Sequence, residues 1–248
     1  LDLGGITPFL YCFDDRERIL DILDSVTGSR LSYCYGSFGG VSMDVDETFL
    51  SNTAAFCTYF HKRLVEYEEL VISNVIFQER TKGVGIFAPE IAARYAVTGP
   101  CLRALGQARD VRKDAPYGIY ERFDFTVPTC EKGDCFDRST VRMEEMRQSL
   151  AIIEQALRDI PSGPVMAAKV PKRIRPPEGD YHFGVESARG HFGIYIVSDG
   201  SDIPFRMMLR TPSFAHISTM PEVLVGTMLA DTVALLGSID IVIPEIER

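Results

Sequence analysis

Residues 185–216 read VESARGHFGIYIVSDGSDIPFRMMLRTPSFAH. Within them, residues 191–198 form an apolar, β-rich run (Phe192, Ile194, Tyr195, Ile196, Val197). Asp199-Gly200-Ser201-Asp202 is a cluster of turn formers, and residues 204–210 are β-prone again. Two strand-like runs around a short polar turn spell an antiparallel hairpin. Arg189-Gly190 before it and Arg210-Thr211-Pro212 after it put cations and chain breakers at its ends, positioned to meet another surface or to be solvated.

Outward from the hairpin the pattern turns helical. Residues 138–159 carry Met143, Met146, Leu150, Ile153 and Leu157 at alternating three- and four-residue spacings, the seam of a helical bundle. This stripe is core rather than a cofactor box. Residues 14–27 place Ile19, Ile22, Leu23 and Val26 on one face and stop at Gly28, a natural helix terminator. Asp44-Val45-Asp46-Glu47 offers a cap before a helix of more than twenty residues bearing Leu50, Ala54, Cys57, Leu64 and Val71. Shorter helices are expected from a Ser73 cap to Arg80, broken by Gly83 and Gly85, and from Pro89 to near Thr98-Gly99-Pro100. Residues 103–128 show no sustained period and read as a long ordered loop with one strand over 123–127. A helix is expected from Pro221 to Leu236, ending at Gly237, with an extended tail over 238–248. The fold class that follows is mainly α (α+β), a helical bundle with a small antiparallel sheet, in one domain over residues 1–248. A basic, proline-rich linker occupies 164–180 within it, around Lys169-Val170-Pro171-Lys172-Arg173.

The 248 residues, 46% apolar, suffice for a real core. Twenty-six basic against 35 acidic residues give a net charge of −9, which speaks against nucleic acid as the main partner. No run reaches the roughly 20 apolar residues that span a bilayer; residues 223–237 come nearest and carry Asp231. The chain opens on Leu1 inside what reads as an element, as if its natural N-terminal segment were missing. The six cysteines (Cys12, Cys34, Cys57, Cys101, Cys130, Cys135) form no CxxC pair and have no histidine at ligand spacing, so they read as buried thiols and no metal site is expected. Dinucleotide, P-loop, zincin and nucleophile-elbow signatures are all missing from the sequence. Residue patterns by themselves lead no further than a helical globular subunit.

Short blocks in a fixed order lead further. Asp2-Leu3-Gly4-Gly5-Ile6-Thr7-Pro8-Phe9 is followed by Asp15-Arg16-Glu17-Arg18, Val26-Thr27-Gly28-Ser29-Arg30 and Gly39-Gly40-Val41. Then come Glu79-Arg80-Thr81, Thr98-Gly99-Pro100-Cys101-Leu102-Arg103, Asp110-Val111-Arg112-Lys113, Lys132-Gly133-Asp134, Glu145-Met146-Arg147, the hairpin and Gly237-Ser238-Ile239-Asp240. Over nearly the whole length the chain resembles the 49 kDa-type (D-type) subunit of respiratory complex I, the proton-pumping NADH:quinone oxidoreductase.

The resemblance implies a fold like the large subunit of nickel-iron hydrogenases with the metal site lost. It implies a quinone substrate bound beside the terminal iron–sulfur cluster of a partner subunit, with no metal or flavin held by this chain. Its expected partners are that iron–sulfur subunit, other peripheral-arm subunits and membrane-arm subunits, in a complex on the cytoplasmic side of the cell membrane. Asp2 is implied as the catalytic and quinone-binding carboxylate that orients a proton-donating histidine. Asp240 and Val242 are implied as quinone-binding residues, Val242 as an apolar wall. Read without the resemblance, Asp2 is a helix cap and Asp240 a turn aspartate. A true hydrogenase would need a cysteine pair near the C-terminus, and residues 244–248 have none. The remaining alternative is a scaffold subunit without quinone chemistry of its own. Two departures bear on this choice: Ser32 and Ser37 stand where the family usually has a histidine and an arginine near the partner's cluster. Losing both cations predicts a lower cluster potential with a weaker pH dependence, suited to a low-potential quinone such as menaquinone.

Overall fold

The computed structural model describes residue 3 and residues 5–247. Helix α1 (Ile6–Thr27) runs to the αL residue Gly28, as its sequence implies. It starts eight residues earlier than the apolar periodicity suggests, because Pro8 falls in the first turn, where a missing N–H costs nothing. A two-residue ribbon, β1 (Gly36–Ser37) and β2 (Gly40–Val41), leads to α2 (Glu47–Tyr67), capped by the Asp46 carboxylate accepting from Phe49 N at 2.7 Å. One widened π turn, Glu68–Ile72, continues α2. The cap of α3 (Val75–Thr81) is Asn74, not Ser73: its side chain accepts from Ile76 N at 2.9 Å, while Ser73 still closes the preceding turn.

Short helices α4 (Pro89–Arg94), α5 (Pro100–Arg103) and α6 (Val111–Asp114) follow. The expected strand over 123–127 does not form. That segment is extended, but its N–H groups go to side chains of the next helix, Asp124 N to Gln155 and Thr126 N to Gln148, rather than to a ladder. Helix α7 (Cys135–Asp159) is the spine of the molecule, capped by Asp134, whose carboxylate also takes Gly83 N at 2.8 Å. Its stripe is core as read at Met143 and Leu150, which pack with Cys57, Leu64 and Tyr67 of α2. Ile153 lies outside that cluster and is exposed.

The hairpin is part of a three-stranded antiparallel sheet, β3 (Gly179–Ser187), β4 (Gly190–Ser198) and β5 (Arg206–Arg210), ordered β3-β4-β5. Residues 164–180 run up to this sheet, and Val41 N–Val165 O (3.0 Å) and Ala167 N–Gly39 O (2.9 Å) tie their start to β1 and β2. After α8 (Pro212–Ser218), where one helix was expected over 221–236 there are two, α9 (Met220–Val223) and α10 (Asp231–Ile239). Gly226 at φ +82° breaks the run. The helix passes through Gly237 and ends at Asp240 in the αL conformation, and the tail forms α11 (Ile243–Ile246) instead of staying extended. A second core of Phe87, Val97, Cys101, Leu102, Leu235 and Ile239 binds α10 to α5. Of the cysteines expected inside, Cys12 and Cys34 are exposed and Cys130 half-buried, Cys12 lying on the cavity side of α1 and Cys34 in the loop before β1.

Candidate functional site

The reach of the hairpin across the molecule sets the site. The turn joining β3 and β4 seats on the start of α5. A Cβ added to Gly99, at φ +68°, would lie 2.3 Å from Arg189 O, so only glycine allows this approach. Thr98 Oγ1 takes His191 N at 3.1 Å and Arg210 Nη1 at 3.0 Å. At the other edge a buried ion network fixes β3. Arg103, 1% exposed, donates to Glu186 at 2.8 Å and Glu145 at 2.6 Å, and Arg112 pairs with Asp110 at 2.6 Å. Burial pushes the Glu186 carboxyl up. Asp110 is held low because the hydrogen bonds and charge of Arg112 and the charge of Arg103 outweigh burial.

With the sheet fixed in this way, Arg189 meets Asp240. Its Nε donates to the Asp240 backbone carbonyl at 3.2 Å and its Nη2 to the carboxylate at 3.4 Å. Asp240 lines a cavity of about 750 Å³ bounded by α1, the π turn after α2, α3, α7 and α10. That volume suits a small organic molecule. Phe9, Ile19, Ile76, Phe77, Met143 and Val233 give it apolar walls. Val242, two residues beyond Asp240, is half-buried, donates its N–H to Ser213 Oγ at 3.2 Å and is not among the lining residues. The third expected residue, Asp2, lies outside the described residues.

The cavity has polar features that sequence reading missed. Asp15 of α1, 2% exposed, accepts hydrogen bonds from Tyr59 at 2.7 Å, Arg63 Nε at 3.0 Å and the Tyr67 hydroxyl. Burial pushes its carboxyl up, but the bonds from Tyr67, Tyr59 and Arg63 outweigh it and the pKa falls below the ordinary value. Burial and the bond to Asp15 raise Tyr67 instead. Asp15 is one turn past Tyr11 and Cys12, inside a run that alternates acids with arginines. Only knowledge of which face packs on α2 singles it out.

Across the cavity α7 presents Arg142, with Arg138 one turn before it buried behind the wall. Arg138, fully buried, donates to Ser238 Oγ, Gly133 O and Gly85 O and stacks its guanidinium over the Phe87 ring. Arg142 donates through Nη1 to Arg138 O at 3.2 Å and Ser238 O at 2.6 Å. Neither has a carboxylate within ion-pair distance among the described residues. Behind them His216, fully buried, bonds Thr98 O through Nε2 at 3.0 Å, which leaves Nδ1 as an acceptor facing Cys101 Sγ at 4.0 Å. Burial pushes the Cys101 thiol up, but His216 and the guanidinium groups of Arg142 and Arg138 outweigh this and bring it to about 6. No group of three or more potential ligand side chains is arranged around a metal position among the described residues.

The fold is a mainly helical bundle with a ligand-sized, largely apolar cavity bordered by buried charges. The chain belongs to the family of the respiratory-chain NADH dehydrogenase 49 kDa subunit, whose model matches residues 2–248. It is 54% identical along its whole length to the D-type subunit of the NADH-quinone oxidoreductase of Syntrophobacter fumaroxidans, covering 66% of that protein. It is 50% identical to that of Desulfotalea psychrophila, covering 67%, and 49% identical to the second D-type subunit of Opitutus terrae, covering 62%. The chain thus spans about two thirds of the length of these relatives.

Proposed function

We propose that this chain is the quinone-binding subunit of a proton-pumping NADH:quinone oxidoreductase and helps form the quinone-reduction site beside the terminal iron–sulfur cluster of a partner subunit. The observation that carries this reading is the position of Asp240, a residue singled out by family resemblance, on the wall of a ligand-sized cavity in a chain whose relatives are named for quinone reduction.

Quinone reduction takes two electrons and two protons. The electrons come from the partner's cluster, and this subunit holds the ring and manages the protons. Asp2 orients the proton-donating histidine. Asp240, pinned by Arg189, places a carboxylate at the cavity rim, and Val242 shapes an apolar wall nearby. The protein acts within a complex of peripheral-arm and membrane-arm subunits, on the cytoplasmic side of the cell membrane. No helix among the described residues is long and apolar enough to cross a membrane, which suits a peripheral place.

The deciding experiment is inhibitor-sensitive quinone reduction by the native complex, purified through a tag on the full-length protein, comparing wild type with Asp2→Asn and Asp240→Asn. A large loss with assembly intact supports the reading. Unchanged rates in both would leave a scaffold role.

A further inference from the structure

We propose that Arg142 is a ligand-binding residue of the cavity, the cation that receives a carbonyl oxygen of the quinone headgroup. The inference rests on the quinone reading above and adds to it a residue outside the segments that carry Asp2, Asp240 and Val242.

Arg142 is a half-buried guanidinium on the cavity wall. It has five N–H bonds to place. Nη1 serves the carbonyls of Arg138 and Ser238. Nε is buried without an acceptor, and Nη2 makes no hydrogen bond among the described residues. Among the described residues no carboxylate pairs with it, for the two described acids on the same cavity are engaged elsewhere, Asp15 with Arg63 and Asp240 with Arg189.

A half-buried guanidinium with an unsatisfied Nε and no carboxylate partner among the described residues is costly. Whereas Arg138 is satisfied by Ser238, Gly133 and Gly85, such a donor is explained when a ligand completes it. The surrounding wall selects what that is. Phe9, Ile76, Phe77, Met143 and Val233 suit a flat apolar ring, while Nη2 supplies a directional donor at one point. A quinone offers this combination, an apolar ring edged by carbonyl acceptors. The two carbonyl contacts fix the guanidinium, so its free edge is already oriented before a ligand arrives.

The test uses the assembled complex and a short-chain quinone carrying a photoreactive azide. Labelled peptides of this chain are mapped, and the half-saturating concentration is measured for wild type, Arg142→Gln and Arg142→Lys. In wild type, label is expected on residues of α7 and α10. Loss of a charge-assisted hydrogen bond in Arg142→Gln is expected to raise the half-saturating concentration about 10-fold or more. Arg142→Lys, which keeps the charge but not the fork, is expected to fall between. A wild-type complex that labels no peptide of this chain refutes the quinone reading itself. A labelled wild type with the same half-saturation in Arg142→Gln refutes the role of Arg142 alone. If Arg142→Gln does not assemble, Arg142→Lys decides: a several-fold rise supports the role and wild-type binding overturns it.

Discussion

Arg189, at the turn of β3 and β4, holds Asp240, at the end of α10, by two contacts: Nε to the backbone carbonyl at 3.2 Å and Nη2 to the carboxylate at 3.4 Å. Fifty-one residues apart in sequence, they join the sheet to the rim of the cavity. The backbone contact holds the helix end, and the carboxylate contact sets where the charge points.

These two functions separate on mutation. Asp240 sits at φ +51°, a conformation asparagine shares readily and alanine does not. Asp240→Asn therefore keeps the helix end and removes only the charge. The carboxylate is 42% exposed, so the stability change should stay below about 1 kcal/mol. Quinone reduction by the assembled complex should nonetheless fall, while Asp240→Ala should lose stability as well, on the order of 1–2 kcal/mol. Thermal unfolding beside turnover of the same preparations measures both.

Asp15 gives a pH prediction. Its folded pKa lies below the unfolded value, so its contribution to stability is complete above about pH 4 and is lost as the pH falls through the folded value. Asp15→Ala leaves Arg63 with Glu66 as its remaining carboxylate and deprives the Tyr59 and Tyr67 hydroxyls of their acceptor, which should cost on the order of 1–3 kcal/mol at neutral pH. The difference between wild type and variant, followed by urea unfolding of the purified chain, should shrink on acidification. A difference that grows toward low pH would contradict the assignment.

Gly99 tests how tightly the hairpin tip is seated. Alanine there meets Arg189 O at 2.3 Å and carries φ +68°, two penalties that together amount to roughly 2 kcal/mol or more. Because the contact holds Arg189 against Asp240, Gly99→Ala should also reduce quinone reduction in complexes that assemble. Gly83→Ala has the same φ penalty with open space around the added carbon, and serves as the control for backbone strain alone.

Periodicity makes the long helices legible because each buries one stripe against one neighbour: α1 ends at Gly28 as read, whereas α2 is capped by Asp46 within the Asp44–Glu47 box and α7 begins at Cys135, three residues before the periodic span. It failed where tertiary partners replace local ones. Residues 123–127 have strand-like composition, yet Gln148 and Gln155 satisfy the backbone there, and no local pattern announces that. Tyr181, Phe183 and Val185 of the first strand do alternate with Asp180, His182, Gly184 and Glu186, but the run follows directly on the basic, proline-rich stretch, and the inward turn of Glu186 to Arg103 is not legible in the sequence. Asp240 was legible only through family resemblance. Arg142 and Asp15 were not legible at all, because a buried charge on a helix looks like a surface one until its surroundings are known.

Ser32 and Ser37 permit a test of electron input. Both are exposed, Ser32 at φ +57° before the ribbon and Ser37 within it. Histidine tolerates the αL conformation better than most residues, and an exposed arginine at 37 displaces nothing in the core, so Ser32→His with Ser37→Arg can be built on this backbone. If the ribbon faces the partner's cluster, adding an imidazole and a guanidinium favours the reduced form. The midpoint potential should then rise relative to wild type. The imidazole should take up a proton on reduction, so the slope with pH should steepen toward about 59 mV per pH unit, the limit of one proton per electron. A pH-resolved redox titration of the complex, following the cluster by paramagnetic resonance, reads both quantities. A wild-type potential that is already high with a full slope would mean that another cation near the cluster does this work and that the serines carry no information about the quinone.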